Sequence, residues 1–239
     1  VNIMSITVDE NNEYFSSIDG NLYNKDATRF IKYASGKATH NFKFPESVTS
    51  IESHAFSWAN HIYGININEN ITNIGECAFI GSESAYIMVA ENNPNYKSES
   101  GHLYSKDGKI LFYYSRHGET ITISENVEII GVGAVASYEN LETLIIKKDI
   151  HIDMVAFYEC TNLKTLILPK NFSVNFMAFD LCKSIETIYY NGTSEEWKEQ
   201  YIYSGNKNLM LANVYYYSET KPIMDGYFWH YVNGIATKW

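Results

Sequence analysis

Apolar positions recur along this chain about every 22 residues, a period of the kind that marks repeat architectures. The markers are Ala55-Phe56, Ala78-Phe79, Ala156-Phe157 and Ala178-Phe179, with Ala134-Val135 standing one period before Ala156. Further apolar rows sit at fixed offsets from each alanine. Seven positions before it stand Val48, Ile71 and Val127, and four before it Ile51, Ile74, Ile130, Ile152 and Val174. Ten after it stand Ile65, Met88, Leu144, Leu166 and Ile188, and twelve after it Ile67, Ala90, Ile146, Leu168 and Tyr190. The last two rows differ by two positions, which is a strand signature. A period of this length is too long for one strand or helix and too short for a domain. It matches one coil of a solenoid, which buries its apolar face only against its neighbours. Each coil is therefore expected to hold one good strand, a second extended stretch and two turns. The alanines allow close backbone approach, and the phenylalanines stack inside.

The pattern also predicts its own irregularities. Asp149 and Asn171 stand where Val48, Ile71 and Val127 stand in other coils, so that corner should be narrower or more polar. Val135 replaces the phenylalanine and leaves room for a larger neighbour. A longer repeat overlies the short one: VDENNEYFSSIDGNLYNKD from Val8 matches VAENNPNYKSESGHLYSKD from Val89 at an offset of 81. Both copies carry an Asn-Asn pair and a central glycine, which are turn signals, and each is expected to be an inserted β-hairpin.

The Ala-Phe coil, its flanking Ile and Leu positions and the ENN…LY.KD insert resemble the BspA-like leucine-rich repeat family over roughly residues 1–215. The resemblance implies a right-handed, predominantly β solenoid of parallel strands on secreted or surface proteins of bacteria. It also implies adhesion to a host or matrix protein or to a surface glycan, with no catalytic residues to carry over. The expected organisation is a hairpin unit and N-terminal cap over 1–45, repeat coils over 46–190 with a second insert at about 89–114, and a C-terminal cap over 191–239.

Composition narrows the functional classes. The net charge of −10, with no Lys/Arg cluster, opposes nucleic-acid binding and attachment to anionic lipid. No membrane span or export signal is legible, and a first residue other than Met is expected of a chain trimmed of a leader. An extracellular or cell-surface monomer is expected. Cys160 and Cys182 lie one period apart on one row, so they are either small buried apolar residues or a conceivable disulfide pair. Cys77 leaves the count odd, and no zinc spacing is present. The seven histidines form no HExxH pair, and neither a phosphate loop nor a GxSxG elbow occurs. No catalytic residue, metal or cofactor is expected.

Two candidate binding features remain. The outward positions of the good strand give a threonine row, Thr143, Thr165 and Thr187, beside an apolar row, Ile145, Ile167 and Tyr189. An exposed apolar row on a solenoid face is a candidate partner-contact surface, although strand propensity and cross-strand stacking also explain it. The aromatic tail is expected to form a strand, a loop at Lys221-Pro222 and a hairpin at Asn233-Gly234. There, Trp229, Tyr231 and Trp239 either cap the solenoid or form a cage for a choline-like cation, as in a cell-wall-binding module. Thr193 and Glu196 have capping-box spacing and predict a short helix from about Ser194 to Tyr201. A chain that serves only as a spacer displaying other domains is the remaining alternative.

Overall fold

The computed structural model describes residues 2–82, 85–115, 117–223 and 226–239. The chain divides into two compact units, Val1–Arg116 with Val132–Val135, and His117–Gly131 with Ala136–Trp239. Each is built from stacked β-solenoid coils.

In the first unit the main ladder pairs Phe42–Lys43, Gly64–Ile67 and Tyr86–Val89 in parallel. A second ladder pairs Arg29–Lys32, Ser50–Ile51 and Asn73–Ile74, also in parallel. The stacked interior follows the repeat. Phe30, Phe56 and Phe79 form a column with centroid spacings of 4.8 and 5.5 Å and near-parallel planes. All three are buried. Beside them the Phe56 amide donates to the Ala78 carbonyl at 2.7 Å, an approach that the small alanine side chain permits. The corner is held by left-handed backbone on both sides of the alanine, at His54 and Trp58 in one coil and at Cys77 and Gly81 in the next. Glycine suits that conformation. At Gly81 it is also required by space, since a Cβ would lie 2.5 Å from the Trp58 ring.

The main strand of the Ala78 coil corrects one expected register. Ile65 pairs with Ile87, not Met88, and Ile87 is fully buried while Met88 is half-exposed. The step from Ile65 to its partner is one position shorter than the step from Ala55 to Ala78, and a one-residue slip exchanges the faces of a strand. Ile87 therefore points inward and Met88 outward.

Both inserts are hairpins, Phe15–Ile18 with Asn21–Asn24 and Tyr96–Glu99 with His102–Ser105, in identical antiparallel register. Their turns carry positive φ at Asp19-Gly20 and Ser100-Gly101, the conformation that favours tight two-residue hairpin turns. Equivalent locks recur. The Lys25 and Lys106 ammonium groups donate to the carbonyls of Glu10 and Glu91, and the amides of Val8 and Val89 donate to Ser17 and Ser98.

In the second unit the main ladder runs Thr120–Thr122, Thr143–Ile145, Thr165–Leu168, Thr187–Tyr190 and Asn213–Tyr217, all parallel. The second ladder runs Ile129–Ile130, Ile150–Ile152, Phe172–Val174 and Tyr201–Ile202. Phe157 stacks on Phe179 at 5.0 Å with planes 4° apart. The polar corner forms as expected: Asn171 Nδ2 donates to Asp149 at 3.1 Å, and the next residues, Ile150 and Phe172, turn inward instead. A larger side chain also appears. Tyr138, on the row of Cys160 and Cys182, is buried and its hydroxyl donates to the Gly118 carbonyl. The two cysteines are buried free thiols. Cys182 Sγ donates to the Phe157 carbonyl at 3.0 Å.

Helix α1 (Ser194–Lys198) is shorter than expected, but its capping box forms through Thr193 and Glu196. Beyond α1 the chain makes a further coil rather than only a cap. The strands of this coil, Tyr201–Ile202 and Asn213–Tyr217, extend both ladders around a second short helix, α2 (Lys207–Leu211). It lacks the Ala-Phe signature. Asn206 replaces that signature, accepting the Phe179 amide on Oδ1 and donating to the Asn175 and Tyr203 carbonyls.

Candidate interaction surface

The outward rows of the second unit are in register across the sheet. One row reads Thr120, Thr143, Thr165 and Thr187, and the neighbouring row Thr122, Ile145, Ile167, Tyr189 and Tyr215. The rows extend further at each end than the sequence pattern indicates. Thr120 and Thr122 follow no Ala-Phe marker, and Tyr215 belongs to a coil of irregular length. Thr143, Thr165 and Thr187 are half-exposed, as is Ile145.

The apolar row is not an open stripe. Ile167 is only 9% exposed, and Tyr189 lies under the ring of Trp229 at 5.4 Å. The chain's own tail supplies the cover. Phe228–Val232 joins Asn213–Tyr217 in parallel and turns back through Asn233-Gly234 into Ile235–Lys238. Trp229 is fully buried, and its indole N–H donates to the Tyr190 carbonyl at 2.8 Å. Between sheet and hairpin remains an open cleft of about 350 Å³ lined by Ile146, Lys147, Ile167, Leu168, Pro169, Asn191, Tyr231 and Gly234. It offers an apolar floor, a half-exposed tyrosine, an amide and one ammonium group.

The three tail aromatics do not converge on a cation. Side chains alternate along a strand, so Trp229 and Tyr231 share one face while His230 takes the other. Trp239 stacks on His230 at 3.6 Å and donates its indole N–H to the Ser218 carbonyl. The aromatic cluster nearby already holds a cation from the chain itself. Lys238 Nζ sits 4.2 Å from the Tyr215 ring centroid, and its hydrogen bond to Tyr215 raises its pKa.

Among the described residues no group of three or more His, Cys, Asp or Glu could hold a metal ion. No described helix is long and apolar enough to cross a membrane.

The model of the BspA type leucine rich repeat region matches in six copies over residues 32–101 and 106–231. The chain belongs to this family. This BspA-type chain is similar in fold to two solved proteins. One is a leucine-rich repeat protein from Eubacterium ventriosum, with 23% identity, a TM-score of 0.61, and coverage of 79% of this chain and 51% of that one. The other is the pneumococcal vaccine antigen PcpA, with 17% identity, a TM-score of 0.55, and coverage of 76% and 53%. The chain thus spans about half the length of these two solved proteins. Among curated proteins none matches.

Proposed function

We propose that this BspA-type chain is a non-enzymatic, surface-associated interaction protein that engages a host or matrix protein, or a surface glycan, across the outer sheet face of its second unit. The observation that carries the reading is the half-exposed threonine row running beside the cleft of Ile167, Lys147, Asn191 and Tyr231. A rigid ladder holds these groups at the spacing of paired strands, so little side-chain order is lost on contact. Tyr231 supplies a flat amphipathic ring of the kind enriched at binding hot spots. Membership of the family and the description of one structural neighbour as a vaccine antigen support a surface location. Within the predicted contact row the roles divide. Thr143, Thr165, Thr187 and Ile145 remain contact residues, Ile167 acts as cleft floor, and Tyr189 supports the hairpin.

The test is a surface-immobilised binding screen of the chain against matrix proteins and cell-wall and mucin-type glycans. Saturable binding that falls at least about tenfold in both Thr165→Lys and Tyr231→Ala, with melting temperatures unchanged, is the expected result; that loss corresponds to about 1.4 kcal/mol. Absence of saturable binding, or binding indifferent to both variants, overturns the reading and leaves a spacer.

A further inference from the structure

The cleft between the sheet and the terminal hairpin of the second unit differs in charge from the rest of the chain. The chain carries a net charge of −10, yet no Asp or Glu is among the described residues that line the cleft, and Lys147 supplies its one formal charge. The cleft volume of about 350 Å³ lies at the small end of ligand sites, enough for one ring-sized group. Ile167, Leu168 and Pro169 make its floor, and all three are buried. Lys147, Pro169 and Asn191 are equivalent positions of three successive coils, each 22 residues from the next. At the spacing of stacked strands, the ammonium and the carboxamide therefore start about 5 Å to either side of the proline.

The polar groups around this floor are held in place but unpaired. Lys147 makes no ion pair among the described residues, whereas Lys164 and Lys170 of the next coil are each paired with a glutamate. The Asn191 amide donates to the Leu168 carbonyl at 3.0 Å, which fixes its backbone, while its carboxamide has no hydrogen bond among the described residues. Asn162, Asn171 and Asn175 differ, since each donates its carboxamide to the coil before it. Tyr231 is 43% exposed, and its ring is set by Trp229 at 4.9 Å and 74° and by Tyr217 at 6.3 Å. Its hydroxyl also has no partner among the described residues.

We propose that this cleft binds a sugar residue that carries a carboxylate, with the carboxylate on Lys147, ring hydroxyls on Asn191, and the C–H face of the ring on Tyr231 and Pro169. An ammonium group pairs with a carboxylate by a charge-assisted hydrogen bond, and a carboxamide both donates to and accepts from neighbouring hydroxyls. A peptide fits less well. Extended peptides bind by adding to an open strand edge, and both strands that flank the cleft are paired on each side. Thr165–Leu168 lies between Thr143–Ile145 and Thr187–Tyr190, and Phe228–Val232 lies between Asn213–Tyr217 and Ile235–Lys238. The assignment rests on the outer face of the second unit being its binding face, and narrows the partner to one chemistry that sialic and uronic acids share.

The experiment titrates the full chain with sialyllactose, a hyaluronan fragment and lactose, read by saturation-transfer NMR. The first probe carries a sialic acid, the second a uronic acid, and lactose neither, so the tighter of the two acid probes names the source. The expected result is saturable binding of an acid sugar at least about tenfold tighter than lactose, and an equal loss in Lys147→Gln with the melting temperature unchanged. No saturable binding of either acid sugar, equal binding of lactose, or binding indifferent to Lys147→Gln overturns the inference. A short peptide with a free C-terminal carboxylate that binds through Lys147 where both sugars do not assigns the cleft to protein and overturns it as well. The wider reading survives these failures if a matrix protein or neutral glycan still binds with losses in Thr165→Lys and Tyr231→Ala, and falls with them only if no partner is sensitive to both.

Discussion

Truncating Phe157 to alanine tests the stacking of the coils where its magnitude is largest. The ring is fully buried and lies against Phe179 at 5.0 Å with planes 4° apart. Its backbone is tied on both sides, the amide to the Ala178 carbonyl at 2.8 Å and the carbonyl to Cys182 Sγ at 3.0 Å. A corner anchored this way cannot collapse to fill the space, so the cavity persists. Buried Phe→Ala changes cost about 3–5 kcal/mol, and the stacked pair adds about 0.5–1.5 kcal/mol beyond area, which places Phe157→Ala near the upper end. Domains have about 5–15 kcal/mol in total, so the second unit should lose a large part of its stability. Urea unfolding of wild type, each single variant and the Phe157/Phe179 double variant gives both the cost and the coupling. A loss under about 1 kcal/mol, or additivity within about 0.3 kcal/mol, would refute the reasoning.

Gly81→Ala should destabilise by more than about 1 kcal/mol, because it combines a left-handed backbone with a Cβ 2.5 Å from the Trp58 ring; thermal melting checks this. Thr193→Ala should cost α1 about 1 kcal/mol and speed exchange of the Glu196 amide, which the threonine hydroxyl accepts at 3.2 Å. Burial pushes the Tyr104 and Tyr190 phenols up to about 12, with nearby carboxylates adding to the shift. A folded pKa above the unfolded value of about 10 gives stability that is complete below pH 10 and lost as pH rises toward 12. Tyrosinate absorbance of these residues should therefore appear together with loss of circular dichroism, and titration with the fold intact would contradict it. Cys182 is held as a thiol by its hydrogen bond with Cys160 and by burial, so neither cysteine should react with a thiol reagent until the unit unfolds.

The coil period was legible because each buried row demands an apolar residue at a fixed offset, and the hairpins because Asx turns and glycine turns leave residue-specific marks. The register at Ile87 was not legible, since Ile87, Met88 and Val89 are all apolar and alternation cannot choose between faces. The coil after α1 was hidden because Asn206 does with its carboxamide what an alanine backbone does elsewhere. For the candidate surface, the threonine and isoleucine rows followed from the strand period. Their cover did not, because nothing local to Trp229 records that it packs on Tyr189, far back in the chain.

The most direct test of the interaction face is a hydrogen-exchange footprint of the chain with the tightest-binding glycan or matrix protein from the screen. Slowed exchange confined to Thr143–Pro169, Thr187–Asn191 and Phe228–Gly234 is the expected result. Protection that falls elsewhere, or none at saturating partner, would contradict it.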